Sequence, residues 1–219
     1  MVDFSASSSS ESVTAYQFVL GDKVVTRPET LLSGQNLAKN VVVGRVTKGA
    51  ATAAKQSGTG DGTIGSVTLG AAAKVGVYVL TCTSAAANAG TFQVEDPDGD
   101  LLKPLTVGVA YASSQINLTV ADGSTDWGVG AVIYVTVSEG SGKIKKCVKT
   151  ATDGSEKPIG ILLSGVDATS ADKKAVIYVA GEFNFSEVVF DSSFDTDFKK
   201  NSAFDRSPIV LKKLVYSIG

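Results

Sequence analysis

The chain has 219 residues, a formal net charge of -2 and an isoelectric point near 5.2. This near-neutral balance gives no electrostatic reason to expect nucleic acid or an anionic membrane as a partner. The sequence contains no histidine, which removes the usual general base and most zinc sites, so the composition argues against an enzyme. The hydrophobic share of 43% supports a sizeable core, and the 23 glycines suit frequent tight turns.

The first twelve residues are rich in serine and carry too little apolar surface to offset the entropy of ordering. Asp3 and the lack of an apolar run argue against a secretion signal. No segment approaches the roughly 18 apolar residues of a membrane span. We therefore expect the protein to be made, and to fold, in a cytoplasm.

Residues 13–25 contain β-branched and aromatic side chains typical of a strand. A polar lead followed by such a segment is typical of an arm that adds a strand to a partner's sheet, and a frayed terminus is the alternative. The residues predicted to make this contact are Val13, Thr14, Ala15, Tyr16, Gln17 and Phe18.

The next segment is divided into short pieces by Pro28 and by the Ser33-Gly34 pair. An apolar strand follows at residues 40–46 and is predicted to end at Lys48-Gly49. Residues 143–149 form another strand, with Ile144 facing inward. The two strands could be the legs of one hairpin, whose adjacent ends tolerate a domain insertion.

The region between these strands has a different composition. From Ala50 to Val94 its only charged residues are Lys55, Asp61 and Lys74. Short β-runs separated by turn signals predict a β-sandwich of the size of an immunoglobulin-like domain. The predicted strands cover residues 64–69, 75–82, 91–95, 106–111, 115–120 and 131–138.

The two cysteines do not fit the disulfide pattern of the immunoglobulin class. Cys82, Trp127 and Cys147 have the wrong spacing for it. We expect both cysteines to be reduced, partly buried thiols.

Residues 152–190 read as a turn, a buried strand at 159–163, a second strand at 175–179 and a bend at Gly181. Ser192 or Ser193 is predicted to cap a short helix, with Lys199-Lys200 in its last turn. Asn201 suits a left-handed position at the end of that helix. A closing strand is predicted at residues 208–215.

Three local patterns could carry chemistry, and each has a simpler interpretation. Residues 60–65 match G-x-G-x-x-G, but the strand before and the helix after that the phosphate-binding motif requires are missing, which favours a flexible loop. Asp96, Asp98 and Asp100 could suggest calcium, although a hairpin turn is favoured.

A small basic patch is most simply a solvated strand face; it consists of Lys143, Lys145 and Lys146. We predict no catalytic residue, no cofactor and no metal site.

Two separated blocks of the sequence resemble the head decoration protein family of tailed bacteriophages, typified by the lambda capsid-stabilising protein D. The match covers about half of the chain, and its specificity comes from the order of several short pieces. These pieces are residues 25–28, 31–37, 43–46, 151–155, 159–163, 166–169, 181–183, 197–200 and 203–204.

The resemblance implies a homotrimer on the outer surface of the expanded capsid, at three-fold and quasi-three-fold positions. Its arm would add a strand to the major capsid protein, and the trimer would stabilise the head against the pressure of packaged DNA. The resemblance therefore implies a structural, non-enzymatic virion protein, assembled in the host cytoplasm, whose partners are the capsid protein and itself.

The predicted fold class is mainly β: a small β-rich (α+β) decoration-protein domain with one short C-terminal helix, split by an inserted β-sandwich. The predicted division is a flexible arm (1–13), a first part of the decoration domain (14–49), an inserted immunoglobulin-like domain (50–140) and a second part (141–219). An alternative hypothesis is a virion-surface adhesive module in which the insert binds host-surface glycans or other cell-surface ligands. Trp127 and Tyr111 are the aromatic candidates for that role.

Overall fold

The computed structural model describes residues 17–214, and the chain is mainly β with one short α-helix. This architecture confirms the predicted fold class. The strands of the described region are β1 (Val25–Leu31), β2 (Gln35–Leu37), β3 (Val42–Arg45), β4 (Lys48–Ser57), β5 (Thr68–Leu69), β6 (Gly76–Ala86), β7 (Ala89–Glu95), β8 (Leu101–Thr106), β9 (Tyr111–Ala112), β10 (Ile116–Leu118), β11 (Val132–Glu139), β12 (Ile144–Lys146), β13 (Pro158–Leu162), β14 (Val166–Ala168), β15 (Lys173–Asn184) and β16 (Ile209–Lys212).

The strands before and after the insert form one six-stranded sheet in the order β1-β12-β3-β13-β15-β16. We call this part of the molecule the outer sheet. β12 pairs antiparallel with β3, with Lys145 opposite Gly44, which confirms the predicted hairpin partnership. The twelve-residue β15 pairs antiparallel with β1 and β13, and then parallel with β16.

The outer sheet is covered on both faces. Neighbouring residues of one strand enter different cores, as Val42 and Val43 do, because successive side chains of a strand point to opposite faces. One core includes residues of β2 and β14, and the other includes Phe194 and Phe204 from the C-terminal segment. Burial on both faces explains why the central strands β3 and β13 are mostly apolar in sequence.

The C-terminal helix begins later than the sequence predicted. Helix α1 spans Asp197–Asn201, and its N-cap is Thr196, whose hydroxyl accepts a hydrogen bond from the Lys199 backbone N–H at 3.2 Å. Lys199 and Lys200 do lie in its last turn. Asn201 has a right-handed φ of -64° because the chain continues directly into a 3-10 helix that buries Phe204. The predicted serine cap and left-handed Asn201 are therefore wrong.

Strands β4 to β11, which span residues 48–139 and include the predicted insert, form two sheets around one core. A five-stranded sheet has the order β4-β11-β6-β7-β8, and a three-stranded sheet has the order β5-β10-β9. Trp127, Tyr78 and Phe92 are the largest side chains of the shared core, and all three have zero exposure. Two sheets enclosing one core agree with the predicted sandwich; membership of the immunoglobulin class stays a prediction.

Several strands of the insert differ from the sequence prediction. β4 starts at Lys48, where the pattern predicted a strand to end. Of the strand predicted at residues 64–69, only Thr68–Leu69 forms β5. The strand predicted at residues 106–111 is divided by a turn between β8 and β9, with Gly108 at a φ of 77°. β8, which the sequence did not predict, contains Pro104, and the proline is tolerated because β8 is an edge strand that needs no amide donor on its outer side.

The insert joins the outer sheet through a tight backbone junction. The Asp153 carbonyl accepts hydrogen bonds from the backbone N–H groups of Thr47 and Lys48, each at 2.9 Å. The Lys48 ammonium lies 3.8 Å from the Glu156 carboxylate and 3.3 Å from the Ala71 carbonyl. The turn at residues 153–156 therefore fixes the point where the chain leaves β3.

Candidate functional site

The residues predicted to contact a partner fall at the border of the described chain. Val13, Thr14, Ala15 and Tyr16 lie outside the described residues. Gln17 is exposed and Phe18 is partly buried. The structure therefore describes where the predicted arm joins the fold.

Phe18 is packed against its own chain. Its ring centroid lies 5.0 Å from that of Phe183 and 5.8 Å from that of Tyr178. The backbone is held as well, since Asn184 N–H donates to the Phe18 carbonyl at 2.8 Å and Leu20 N–H donates to the Glu182 carbonyl at 2.9 Å. Residues 18–20 thus pair antiparallel with the last part of β15, and any arm begins at a fixed point on the outer sheet.

Replacing Phe18 by alanine should lower the free energy of unfolding by about 2 kcal/mol, because a partly buried aromatic ring loses its contacts with Tyr178 and Phe183. Urea unfolding followed by circular dichroism measures the change. Gln17→Ala is the matched control and should stay within about 0.5 kcal/mol of the natural protein, since Gln17 is exposed. Equal unfolding midpoints for both variants would contradict the packing role of Phe18.

The acidic turn of the insert is organised by one buried carboxylate. The Asp96 side chain has zero exposure and accepts hydrogen bonds from the N–H groups of Asp98 at 2.9 Å and Asp100 at 3.2 Å. The Gln115 amide donates to it at 2.9 Å, and the Lys74 ammonium lies 2.6 Å away. The predicted turn between β7 and β8 is confirmed, with Gly99 at a φ of 88°.

This network sets the charge of Asp96. Burial alone would raise the pKa of Asp96, but the ammonium of Lys74, the amide of Gln115 and two backbone N–H groups lower it more, leaving it well below its usual range. The Lys74 ammonium also lies 2.6 Å from Asp98. A lysine therefore supplies the positive charge in this turn, and residues 17–214 contain no cluster of three or more ligand side chains that could hold a metal ion.

The glycine-rich string at residues 60–65 is a loop, as predicted. The Asp61 carboxylate accepts hydrogen bonds from the Ser124 hydroxyl at 2.6 Å and from the Thr125 N–H at 2.8 Å. The Ser124 hydrogen bond is the main reason that the pKa of Asp61 is lowered. Within the string Ile64 forms an isolated bridge with Val120, and the next element is β5, so the helix of a phosphate-binding motif is missing there.

The three lysines of the predicted basic patch each have an acidic partner. Lys143 pairs with Asp172, Lys145 with Asp153 at 3.1 Å, and Lys146 with Asp191 at 2.7 Å. The hydrogen bond from Lys146, together with those from Ser193, lowers the pKa of Asp191 to about 2. The patch is neutralised within the chain, which leaves little positive charge for an anionic partner.

The aromatic candidates of the adhesive hypothesis are not surface residues. Trp127 has zero exposure and its indole N–H donates to the Ala121 carbonyl at 2.9 Å. Tyr111 is only 4% exposed. The two side chains belong to the core of the insert and form no platform for a sugar ring.

The two cysteines are free and buried. Burial raises the pKa of the Cys147 thiol to about 12 and raises that of Cys82 as well. Both thiols are thus poor nucleophiles in the folded chain. Within residues 17–214, every helix is too short or too polar to cross a membrane.

Sequence reasoning missed two features of the molecule. It did not anticipate the packing of Phe18 on β15, because that contact joins residues far apart in the chain. It also missed the Lys74–Asp96 ion pair. Lys74 is one of the few charged residues in this region, and that isolation was a signal, because charged side chains are rarely buried unless they are paired.

Comparison with known proteins gives one informative match. The family model of the bacteriophage lambda head decoration protein D matches residues 9–210. The mainly β chain is a structural protein of the phage virion. It belongs to the bacteriophage lambda head decoration protein D family.

Other comparisons add no argument. No curated protein matches the chain. Two crystal structures of Xanthomonas campestris FlgL, in space groups H3 and C2, are similar over 49% of this chain at 18% identity, each with a TM-score of 0.33. The matched regions span 34% and 33% of those FlgL chains, about one third of their length.

Proposed function

We propose that this phage head decoration protein is a non-enzymatic cement protein that binds the outer surface of the expanded head as a homotrimer, at three-fold and quasi-three-fold sites. Its partners are the major capsid protein and other copies of itself, without nucleic acid or membrane. The single observation that carries the proposal is the family match, which includes residues from both sides of the insert.

The proposed contact is strand addition by the N-terminal arm, residues 1–13 with the strand-competent residues 14–17, while Phe18 packs on β15. The pairing of residues 18–20 with β15 supports this mechanism, since it ties the arm to a rigid sheet rather than to a loop. Three arms on one trimer would convert modest contacts into high avidity. A trimer that bridges neighbouring capsid subunits would oppose their separation under internal DNA pressure.

Within this proposal, residues 14–49 and 141–219 form the decoration domain and residues 50–140 form the insert. The separate cores support the division, because the core of the insert shares no residue with the two cores of the outer sheet. The adhesive alternative gains no support from the buried Trp127 and Tyr111.

Removing the arm tests the mechanism. Deletion of residues 1–12, and in a second variant of residues 1–16, leaves Phe18 and its packing in place. We expect the longer deletion to weaken apparent affinity for expanded capsids roughly hundredfold, because avidity gains of that size depend on all three arms. Quantitative gel analysis of sedimented capsids measures the bound protein.

A length-matched control replaces residues 13–16 by Gly-Ser-Gly-Ser, which lowers strand propensity without shortening the chain. It should also bind weakly if the arm adds a strand. Unchanged occupancy by both deletion variants would overturn the arm mechanism. Light scattering tests the trimer separately: a mass of 22.4 kDa, that of one protomer, at capsid-binding concentrations would contradict it.

A further inference from the structure

The five-stranded sheet of the insert has two edge strands that differ in how they meet solvent. β8 carries Pro104 and Lys103, and both are exposed. Proline and lysine on an edge strand prevent another strand from pairing with it. The β8 edge is therefore blocked by its own sequence.

β4, at the opposite edge, has no such protection. It is ten residues long and contains no proline. Ala50, Thr52 and Ala54 are exposed, and within residues 17–214 the backbone of 49–57 pairs only with β11. Its outer side therefore presents a row of unpaired backbone donors and acceptors, which is a template for another strand.

The two lysines of β4 do not protect this edge. Lys48 is 7% exposed and its ammonium is directed to Glu156 and the Ala71 carbonyl. The Lys55 ammonium donates to the Gly60 carbonyl at 2.6 Å and lies 5.9 Å from the Trp127 ring centroid. Both charges are held by the strand's own chain, so the stretch between them is uncharged.

The sheet face beside β4 is uncharged over the next two strands, β11 and β6, and Glu95 follows on β7, opposite Val79. Ala54 lies opposite Tyr134, which lies opposite Val79, and Thr52 lies opposite Thr136. Tyr134 is 39% exposed. An uncharged edge next to an uncharged face has nothing to repel an identical surface.

We propose that β4 pairs antiparallel with β4 of a second copy of this chain, joining two five-stranded sheets. The same strand supplies both sides, and a two-fold axis through Thr52 places Ala51 opposite Ala53 and Ala50 opposite Ala54 of the second copy, so small side chains meet small side chains. A two-fold contact cannot arise inside a three-fold trimer, so it would link different trimers. This inference rests on the proposed function in one respect: binding to a capsid would bring many copies of the chain close together.

The test uses the full chain with one introduced thiol, both in solution and after mixing with expanded capsids. Thr52→Cys on β4 and Thr106→Cys on β8 are matched, because both threonines are exposed strand residues, and a short bismaleimide reports proximity between copies. The natural cysteines are buried and should not react. We expect covalent dimer at least about fivefold more abundant for Thr52→Cys than for Thr106→Cys, because only the β4 edge is open.

A second variant adds Ala54→Lys to Thr52→Cys. It places a lysine on the open edge, as Lys103 does on β8, and should reduce the covalent dimer to the level of Thr106→Cys. The inference is overturned by equal yields at the two edges, by a dimer that survives Ala54→Lys, or by cross-linking of Thr52→Cys to the shell protein instead of to itself. The two proposals can fail separately. If light scattering gives the mass of one protomer while cross-linking gives a dimer specific to β4, the trimer is rejected and the β4 pairing is supported.

Discussion

Replacing Gly44 by alanine is expected to destabilise the outer sheet by roughly 3 kcal/mol or more, because the site has no space for a side chain. A Cβ atom at Gly44 would overlap the Ser155 carbonyl and lie 2.9 Å from the Lys157 carbonyl oxygen. These are backbone atoms of a turn that cannot rotate away. Ser155 is fully buried, and its N–H donates to the Asp153 carboxylate at 3.1 Å.

Gly34→Ala is the matched control for this substitution. Gly34 has a φ of 82°, and no atom lies within 4 Å of the position that a Cβ would occupy, so alanine there should cost only the strain of about 1 kcal/mol. Hydrogen exchange of the β3 and β13 amides would localise the loss. Similar protection in the two variants would show that the turn at Ser155 yields easily.

Replacing Asp96 by alanine is expected to destabilise the insert by about 3 kcal/mol, because buried donors lose a charged acceptor. The Gln115 amide and the N–H groups of Asp98 and Asp100 would all lose their bond to this carboxylate. Trp127 is the single tryptophan and lies in the same core, so its fluorescence during urea unfolding reports on this region. Asp98→Asn is the control, since that side chain is 68% exposed.

The same carboxylate gives the insert a dependence on pH. Because the folded state lowers the pKa of Asp96, its contribution is fully present above the unfolded value near 4 and is lost as the pH falls toward the folded value. The natural protein should therefore lose stability more steeply than Asp96→Asn below about pH 4. Parallel curves for the two proteins would mean that Asp96 contributes no pH dependence.

The sequence predicted the partnership of β3 and β12 because both segments read as strands and the composition changes between them. It failed where contacts join distant residues with no local signal. β4 was missed because its alanine-rich sequence has few of the β-branched residues that favour strands. It forms a strand because it pairs with β11, and this contact between distant residues leaves no local signal. The serine cap was wrong because Ser192, Ser193 and Thr196 are all competent caps, and packing selects among them.

The sequence predicted that an N-terminal arm exists but not where it joins the fold. A polar lead before an aromatic and β-branched segment indicated an arm, but the point where the arm ends depends on Phe18 reaching Phe183 and Tyr178. Pairing with β15, which lies far along the chain, leaves no mark in the local pattern.

The hairpin of β3 and β12 has a consequence for how the molecule could be altered. The Val46 N–H donates to the Lys143 carbonyl and the Gly142 N–H donates to the Val46 carbonyl, each at 2.9 Å, so the hairpin is already closed beneath the insert. A short turn, or an unrelated folded cargo with adjacent termini, could therefore be exchanged at this position without changing the register of the strands below. The outer sheet would then serve as an interchangeable display platform.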